Sequence, residues 1–313
     1  MPIVRYLDPK NDVAFKKIFG TEKNKDILIH FLNDILGKQG GDKIKEVVFL
    51  NPVQNAEIAA NKQSIVDVLC TDGNGVIFIV EMQVAKVRGF EKRAQYYAAK
   101  AYAGQAKEGG AYHSLKEVIF LAIVDFVMFS GKAHYKSDHV ILDKQSYEND
   151  LKDFSFTFLE LPKFTKDKVE DLTTYEEKWC YFFKHSSNPE DMEKLIKSSD
   201  LVISKAYNEL LSHNWNDQEL MIYEAVTKSN MDAMAREEQV RYEGETIGMA
   251  KGETIGMAKG VAKGMAEGRA EAIAAIAHTM LSEGMDIKTI VKLTGLTVTE
   301  VTALRSQISN KQK

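Results

Sequence analysis

The sequence predicts an α/β fold: a mixed central sheet flanked by helices, followed by a helical C-terminal extension. Three observations carry that prediction. The chain opens on two amphipathic helical stretches, apolar β-rich runs then surround one proline-free helical segment, and from about Glu170 the pattern is helical again. Strands and helices interleaved in this way give a sheet with helical layers.

Each element has its own signal. In DPKNDVAFKKIFG, Ala14, Phe15, Ile18 and Phe19 recur at helical spacing and Gly20 is a stop. In EKNKDILIHFLNDILG the apolar stripe is Ile27, Leu28, Phe31, Leu32, Ile35 and Leu36. The runs EVVFL, SIVDVLCT, VIFIVEMQV, EVIFLAIVDF and FSFTFLEL are rich in Val, Ile, Leu and Phe and read as strands. Between the third and fourth lies RGFEKRAQYYAAKAYAGQAK, a helix expected over 88–107. Beyond Glu170, WCYFFKH and the stretch from Ser199 to Asn230 are helical in pattern. GETIGMAK then occurs twice in tandem, at 244–251 and 252–259, and glycine recurs at every fourth position from Gly244 to Gly268. The last stretch reads as three short helices punctuated at Gly284 and Gly295. The expected organisation is a core over 1–165, a helical extension over 166–243, the glycine repeat over 244–268 and a small helical tail over 269–313.

Bulk properties narrow the function classes. A chain of 313 residues suits one large domain with an appendage, and 44% hydrophobic with 27% charged residues excludes disorder as its theme. The formal charge of -4 means that any nucleic-acid contact must come from a local basic face. Cys70 and Cys180 are far apart, and the seven histidines show no paired spacing, which argues against a zinc or disulfide framework. No apolar leader opens the chain and no run approaches the ~20 residues that span a bilayer, so a cytoplasmic protein without membrane contact is expected.

The chemistry concentrates on two of the strands. An aspartate interrupts SIVDVLCT, and a glutamate and a glutamine interrupt VIFIVEMQV; polar groups inside such runs require an explanation. Alternation places Ile77, Ile79, Glu81 and Gln83 on one face and Val76, Phe78, Val80, Met82 and Val84 on the other. The connecting TDGNGV is a turn. If Asp72 pairs with Val76 around a Gly-Asn-Gly loop, the antiparallel register sets Asp67 opposite Glu81; a two- or four-residue loop would change that pairing. Carboxylates with Cβ atoms roughly 4.5 to 5.5 Å apart repel unless a positive charge sits between them. A hard divalent cation such as Mg²⁺ fits that need, and water bound to it can attack a phosphodiester.

The spacing of Asp67 from Glu81 and Gln83 on a hairpin resembles the PD-(D/E)XK nuclease core, with glutamine where lysine is usual. DPKNDVAFKKIFG, SIVDVLCTDGNGVIFIVEMQ and RAQYYAAKAYAGQAKEGGAYHSLKEVIFLAIVDF, in this order, resemble the Rpn branch of recombination-promoting nucleases or transposases, over about residues 1–130. The resemblance implies a restriction-endonuclease-like core and a Mg²⁺-dependent DNA endonuclease with one or two ions, Asp67 and Glu81 as metal ligands and Gln83 completing the catalytic set. It implies no organic cofactor. Asp12 and Glu57 are candidate auxiliary acids, although an acid early in a helix more often serves a cap or the dipole. Arg93, Tyr97 and Lys100, spaced four and three apart, are candidate phosphate contacts; they also suit a solvated or partly buried helix face.

Seven glycines inside one helix would each cost about 0.8 to 1 kcal/mol against alanine. Either a close helix-helix contact compensates, giving a homodimer, or the repeat is a linker. The tail from Met285 to Leu304 resembles a helix-turn-helix, with a capping box formed by Thr297 and Glu300. With nine Lys/Arg against seven Asp/Glu from 244 to 313, it suits protein contact at least as well as DNA reading. The expected function is a metal-dependent DNA endonuclease promoting recombination or transposition-like events; the alternative is a catalytically weak DNA-binding or oligomeric scaffold.

Overall fold

The computed structural model describes residues 6–54, 64–106, 111–186, 189–198 and 200–311; Glu57 lies outside the described residues. The chain divides into two compact units, residues 1–234 and 235–313.

The first unit opens on α1 (Asp12–Phe19) and α2 (Lys25–Ile35). Asn11 caps α1 by accepting from the Val13 N–H at 2.9 Å. Short strand β1 (Val47–Phe49) and the pair β2 (Val53–Gln54) and β3 (Ser64–Ile65) precede β4 (Val68–Asp72) and β5 (Ile77–Gln83). Next come α3 (Phe90–Ala103), β6 (Val118–Val124), β7 (Lys136–Val140) and β8 (Phe154–Glu160). Helices α4 (Tyr175–Lys184), α5 (Pro189–Ser198) and α6 (Leu201–Glu209) follow, and α7 (Asp217–Ser282) begins in this unit. β1 and β4 to β8 form one mixed six-stranded sheet in the order β1-β4-β5-β6-β8-β7. β1, β4 and β5 pair antiparallel, β5, β6 and β8 parallel, and β7 antiparallel to β8.

Strand parity divides β5 as expected. Phe78, Val80 and Met82 join the larger core, in which Phe15, Phe19, Phe31, Trp179, Phe182 and Phe183 are fully buried. Phe19 sits at the centre of these aromatic rings, with centroids 5.0 Å from Phe31 and 5.9 Å from Trp179. Thus α1, α2 and α4 to α6 share one core. Ile77 and Ile79 face the other way, into a smaller cluster with Phe90, Ala94 and Ala98 of α3.

Four expectations need correction. SIVDVLCT, read as one strand, is two, Ser64–Ile65 and Val68–Asp72, with Asp67 in the bend between them, and the first of the three short helices read in the last stretch is the end of the 66-residue α7. The helix read over 88–107 is shorter, Phe90–Ala103, because Gly89 takes the left-handed conformation at φ 83° and the chain enters a turn at Gly104. β7 escaped the sequence reading because KSDHV lacks an apolar run: an edge strand buries little, and here only Ser137 is buried.

In the second unit the glycine repeat is helical, part of α7. A Cβ added at any of the seven ladder glycines would meet nothing within 4 Å. The end of α7, α8 (Ile287–Thr294) and α9 (Val298–Lys311) enclose a small core of Ala277, Ile290 and Val301. Gly295, at φ 75°, ends α8. The expected capping box opens α9: Thr297 N–H donates to Glu300 Oε2 at 2.7 Å, and Glu300 N–H donates to Thr297 Oγ1 at 3.3 Å.

Candidate active site

The hairpin turn sets the site. Asp72 N–H donates to the Val76 carbonyl at 3.0 Å, and Asp72 Oδ1 accepts from the Asn74 and Val76 N–H groups at 2.9 Å each. Gly75 supplies the positive φ of 83° that this tight loop requires. Val68 then lies opposite Val80 and Thr71 opposite Ile77. One further step along the ladder brings Asp67, in the bend before β4, level with Glu81.

Asp67 Oδ2 accepts from the Met82 N–H at 2.9 Å, and its Oδ1 lies 3.2 Å from Lys16 Nζ on α1. The same ammonium is 3.4 Å from Asp12 Oδ2, one helical turn away. Glu81 is 5% exposed, and its Oε1 has no hydrogen-bond partner among the described residues. Burial and then the Asp67 carboxylate push Glu81 up to about 8, against the pull of Arg93, the Asp67 backbone N–H and Lys16. Burial and Asp12 likewise raise Asp67, against the Met82 amide and Lys16.

Glu160 shows how this fold treats a buried carboxylate with a structural task. It is fully buried, with Oε1 accepting from the Met128 and Phe129 N–H groups at 2.6 and 3.0 Å, while Oε2 pairs with Lys163 at 2.6 Å. Glu81 has no such set of partners. A buried and a half-buried carboxylate side by side, one with an unpartnered oxygen, have the donor chemistry a hard divalent cation requires. Among the described residues no group of three or more His, Cys, Asp and Glu is placed to hold a metal. Two carboxylates are nonetheless the usual protein share for magnesium, whose remaining positions go to water and phosphate oxygens.

A family profile described as PD-(D/E)XK nuclease family transposase matches residues 9–239. The chain belongs to that family. A second profile, described as the C-terminal HTH domain of the Rpn/YhgA-like nuclease family, matches residues 270–306. No curated protein and no solved structure matches the chain.

In this PD-(D/E)XK transposase-family chain the structure gathers most of the residues singled out from sequence. Arg93 reaches back from α3 to donate to Gln83 Oε1, and the Gln83 amide donates to the Ala85 carbonyl at 2.8 Å. Glutamine at this position therefore provides an acceptor for Arg93. The guanidinium also lies 4.8 Å from the Phe90 ring and 5.9 Å from that of Tyr97. Tyr97 is half-buried on the next turn, and Lys100, also half-buried, follows on α3. Asp12 is half-exposed beside Lys16 and lines a cavity of about 140 Å³ with Lys10, Gln83 and Ala85.

Sequence reading missed Lys10 and Lys16. Lys10 pairs with Asp125 at the end of β6, 2.8 Å away. The segment before α1 is tied to α7: Asp8 N–H donates to the Tyr223 hydroxyl at 2.9 Å, and the Asn11 amide donates to Thr227 Oγ1 at 2.9 Å. The signal for Lys16 was present in DVAFK, where Asp12 and Lys16 share a helix face at i,i+4. What sequence could not show is that this face meets the end of the hairpin.

Proposed function

We propose that the chain is a DNA endonuclease that hydrolyses phosphodiester bonds with Mg²⁺ and promotes recombination or transposition-like rearrangement. The observation that supports it most is Glu81: a buried carboxylate with an unpartnered oxygen, raised by burial and by the neighbouring Asp67, inside a nuclease-family fold. Asp67 and Glu81 would hold the ion, which when bound supplies Lewis acidity and a water of lowered pKa. The chain's own residues do the rest. The Met82 N–H fixes one oxygen of Asp67, which orients the carboxylate without competing for its second oxygen. Arg93, oriented by Gln83 and the Phe90 ring, holds positive charge against the carboxylate pair. Tyr97 and Lys100 extend that face of α3 toward phosphate. DNA is the partner, engaged by this face and by the C-terminal helix-turn-helix domain.

The second reading, a weakly catalytic DNA-binding scaffold, draws on one observation: the Gln83 amide carries no charge and is already held by Arg93 and the Ala85 carbonyl. Homodimerisation through α7 is part of the proposal. Ile247, Met249, Ile255, Met257, Val261 and Met265 are exposed along the glycine ladder, whose glycines leave room for a second backbone.

Supercoiled plasmid separates the readings. Magnesium-dependent nicking by the full chain, lost in Asp67→Asn and Glu81→Gln, is the expected result. Nicking unchanged in both variants excludes this pair as the catalytic centre, and DNA binding without nicking favours the scaffold.

A further inference from the structure

Both oxygens of Asp67 are engaged, and by donors of different kinds. Oδ2 is held by the Met82 N–H, a backbone group fixed within β5. Oδ1 is held by Lys16 Nζ at 3.2 Å, the end of a flexible side chain that is 42% exposed. A divalent cation using Asp67 would meet this ammonium at Oδ1, and like charges a few ångströms apart in a partly buried site repel strongly. The ammonium has somewhere to go, because its side chain is exposed and Asp12 sits 3.4 Å away on the same helix.

The other cations nearby, Arg93 and Lys10, each make side-chain contacts outside the carboxylate pair. Arg93 donates to Gln83 and lies over Phe90, and Lys10 is paired with Asp125 at 2.8 Å. Among the described residues, Lys16 joins partial exposure to direct contact with a carboxylate of the pair.

We propose that Lys16 is the exchangeable cation of the site: it pairs with Asp67 Oδ1, and with an ion held by Asp67 its ammonium would turn to the phosphate being cleaved. This inference rests on the metal-dependent nuclease reading. It assigns the positive charge that an amide at position 83 cannot carry to a side chain arriving from α1. Lys16 would contact the non-bridging oxygens of the phosphodiester as a donor and counter-charge, with no proton transfer required of it.

The test uses the full chain as wild type, Lys16→Met, Lys16→Arg and Asp67→Asn. Mn²⁺ affinity is measured without DNA from the electron paramagnetic resonance signal of the free ion. Plasmid nicking is measured at saturating Mn²⁺, with thermal melts as a check on folding. Removing a competing cation from a partly exposed ion pair should tighten Mn²⁺ binding of Lys16→Met about fivefold. Its nicking rate should nevertheless fall at least about tenfold. Lys16→Arg, which keeps the charge, should stay near wild type in affinity and retain most of the rate. Wild-type affinity in Lys16→Met overturns the proposal, and so does wild-type nicking by that variant at saturating metal. A wild-type chain that binds Mn²⁺ but nicks nothing refutes the nuclease reading and the phosphate role of Lys16, while the affinity comparison still decides the exchange at Asp67.

Discussion

Replacing Glu81 by glutamine should stabilise the metal-free chain while abolishing its activity, and the size of the effect should depend on pH in a defined direction. Burial, and then Asp67, push Glu81 up to about 8 in the fold, against 4.5 for an ordinary glutamate. Because the folded value lies above the unfolded one, the neutral carboxyl contributes stability below about pH 4.5, and that contribution is lost as pH rises toward 8. Each pH unit in that window is worth about 1.4 kcal/mol, so at pH 7 the buried acid costs the fold up to about 3 kcal/mol. Glutamine has no such cost and preserves the shape. In a unit of this size about 3 kcal/mol corresponds to roughly 6 to 12 °C in melting temperature. Melting wild type and Glu81→Gln in chelator at pH 5 and pH 7.5 measures the difference directly. The variant should be much the more stable at pH 7.5 and close to wild type at pH 5, and Mg²⁺ should raise the melting temperature of wild type only. A gap of the same size at both pH values would refute the argument that burial and Asp67 raise Glu81 in the fold.

Other predictions follow from other contacts. Gln83→Lys should lose about 2 kcal/mol in urea denaturation, since it removes the acceptor of Arg93 and sets an ammonium beside the guanidinium; adding Arg93→Met should recover most of that loss. Burial would lower His30, but Asp34 and Asp200, each within 2.6 Å of its ring nitrogens, outweigh burial and hold it above its ordinary value. Its stabilisation is therefore present below pH 6.5 and lost as pH rises through the folded value, so His30→Ala should cost about 1 kcal/mol at pH 5.5 and less at pH 8.5. Alanine at Gly248, Gly252, Gly256 and Gly260 together should raise helix content, at about 0.8 to 1 kcal/mol per site, because nothing lies within 4 Å of the added Cβ atoms. If α7 pairs two chains through these glycines, the same variant should shift toward monomer in light scattering. An unchanged mass there removes the ladder from the interface.

How much of this was legible in the sequence follows from the range of each interaction. The Asp67 to Glu81 pairing was readable because it depends on a local device: Asp72 and Gly75 fix a three-residue turn, and from there the register is arithmetic. The aromatic stripe of α1 and α2 was equally local. By contrast, Trp179 docks beside Phe19 across some 160 positions of chain, and no periodicity announces that contact. Lys16 could be placed on a face of its helix, whereas its approach to Asp67 depends on how α1 lies against the sheet. The Arg93 to Gln83 hydrogen bond is of the same kind. It recasts a departure from the lysine-bearing motif as a local requirement for an acceptor.

The central claim is that Asp67 and Glu81 jointly hold a divalent ion. Anomalous diffraction from crystals of the full chain grown with Mn²⁺ tests it most directly. A manganese peak within coordination distance of both carboxylates, absent in crystals of Asp67→Asn, is the predicted result; a peak elsewhere, or none between these two side chains at saturating Mn²⁺, would contradict it.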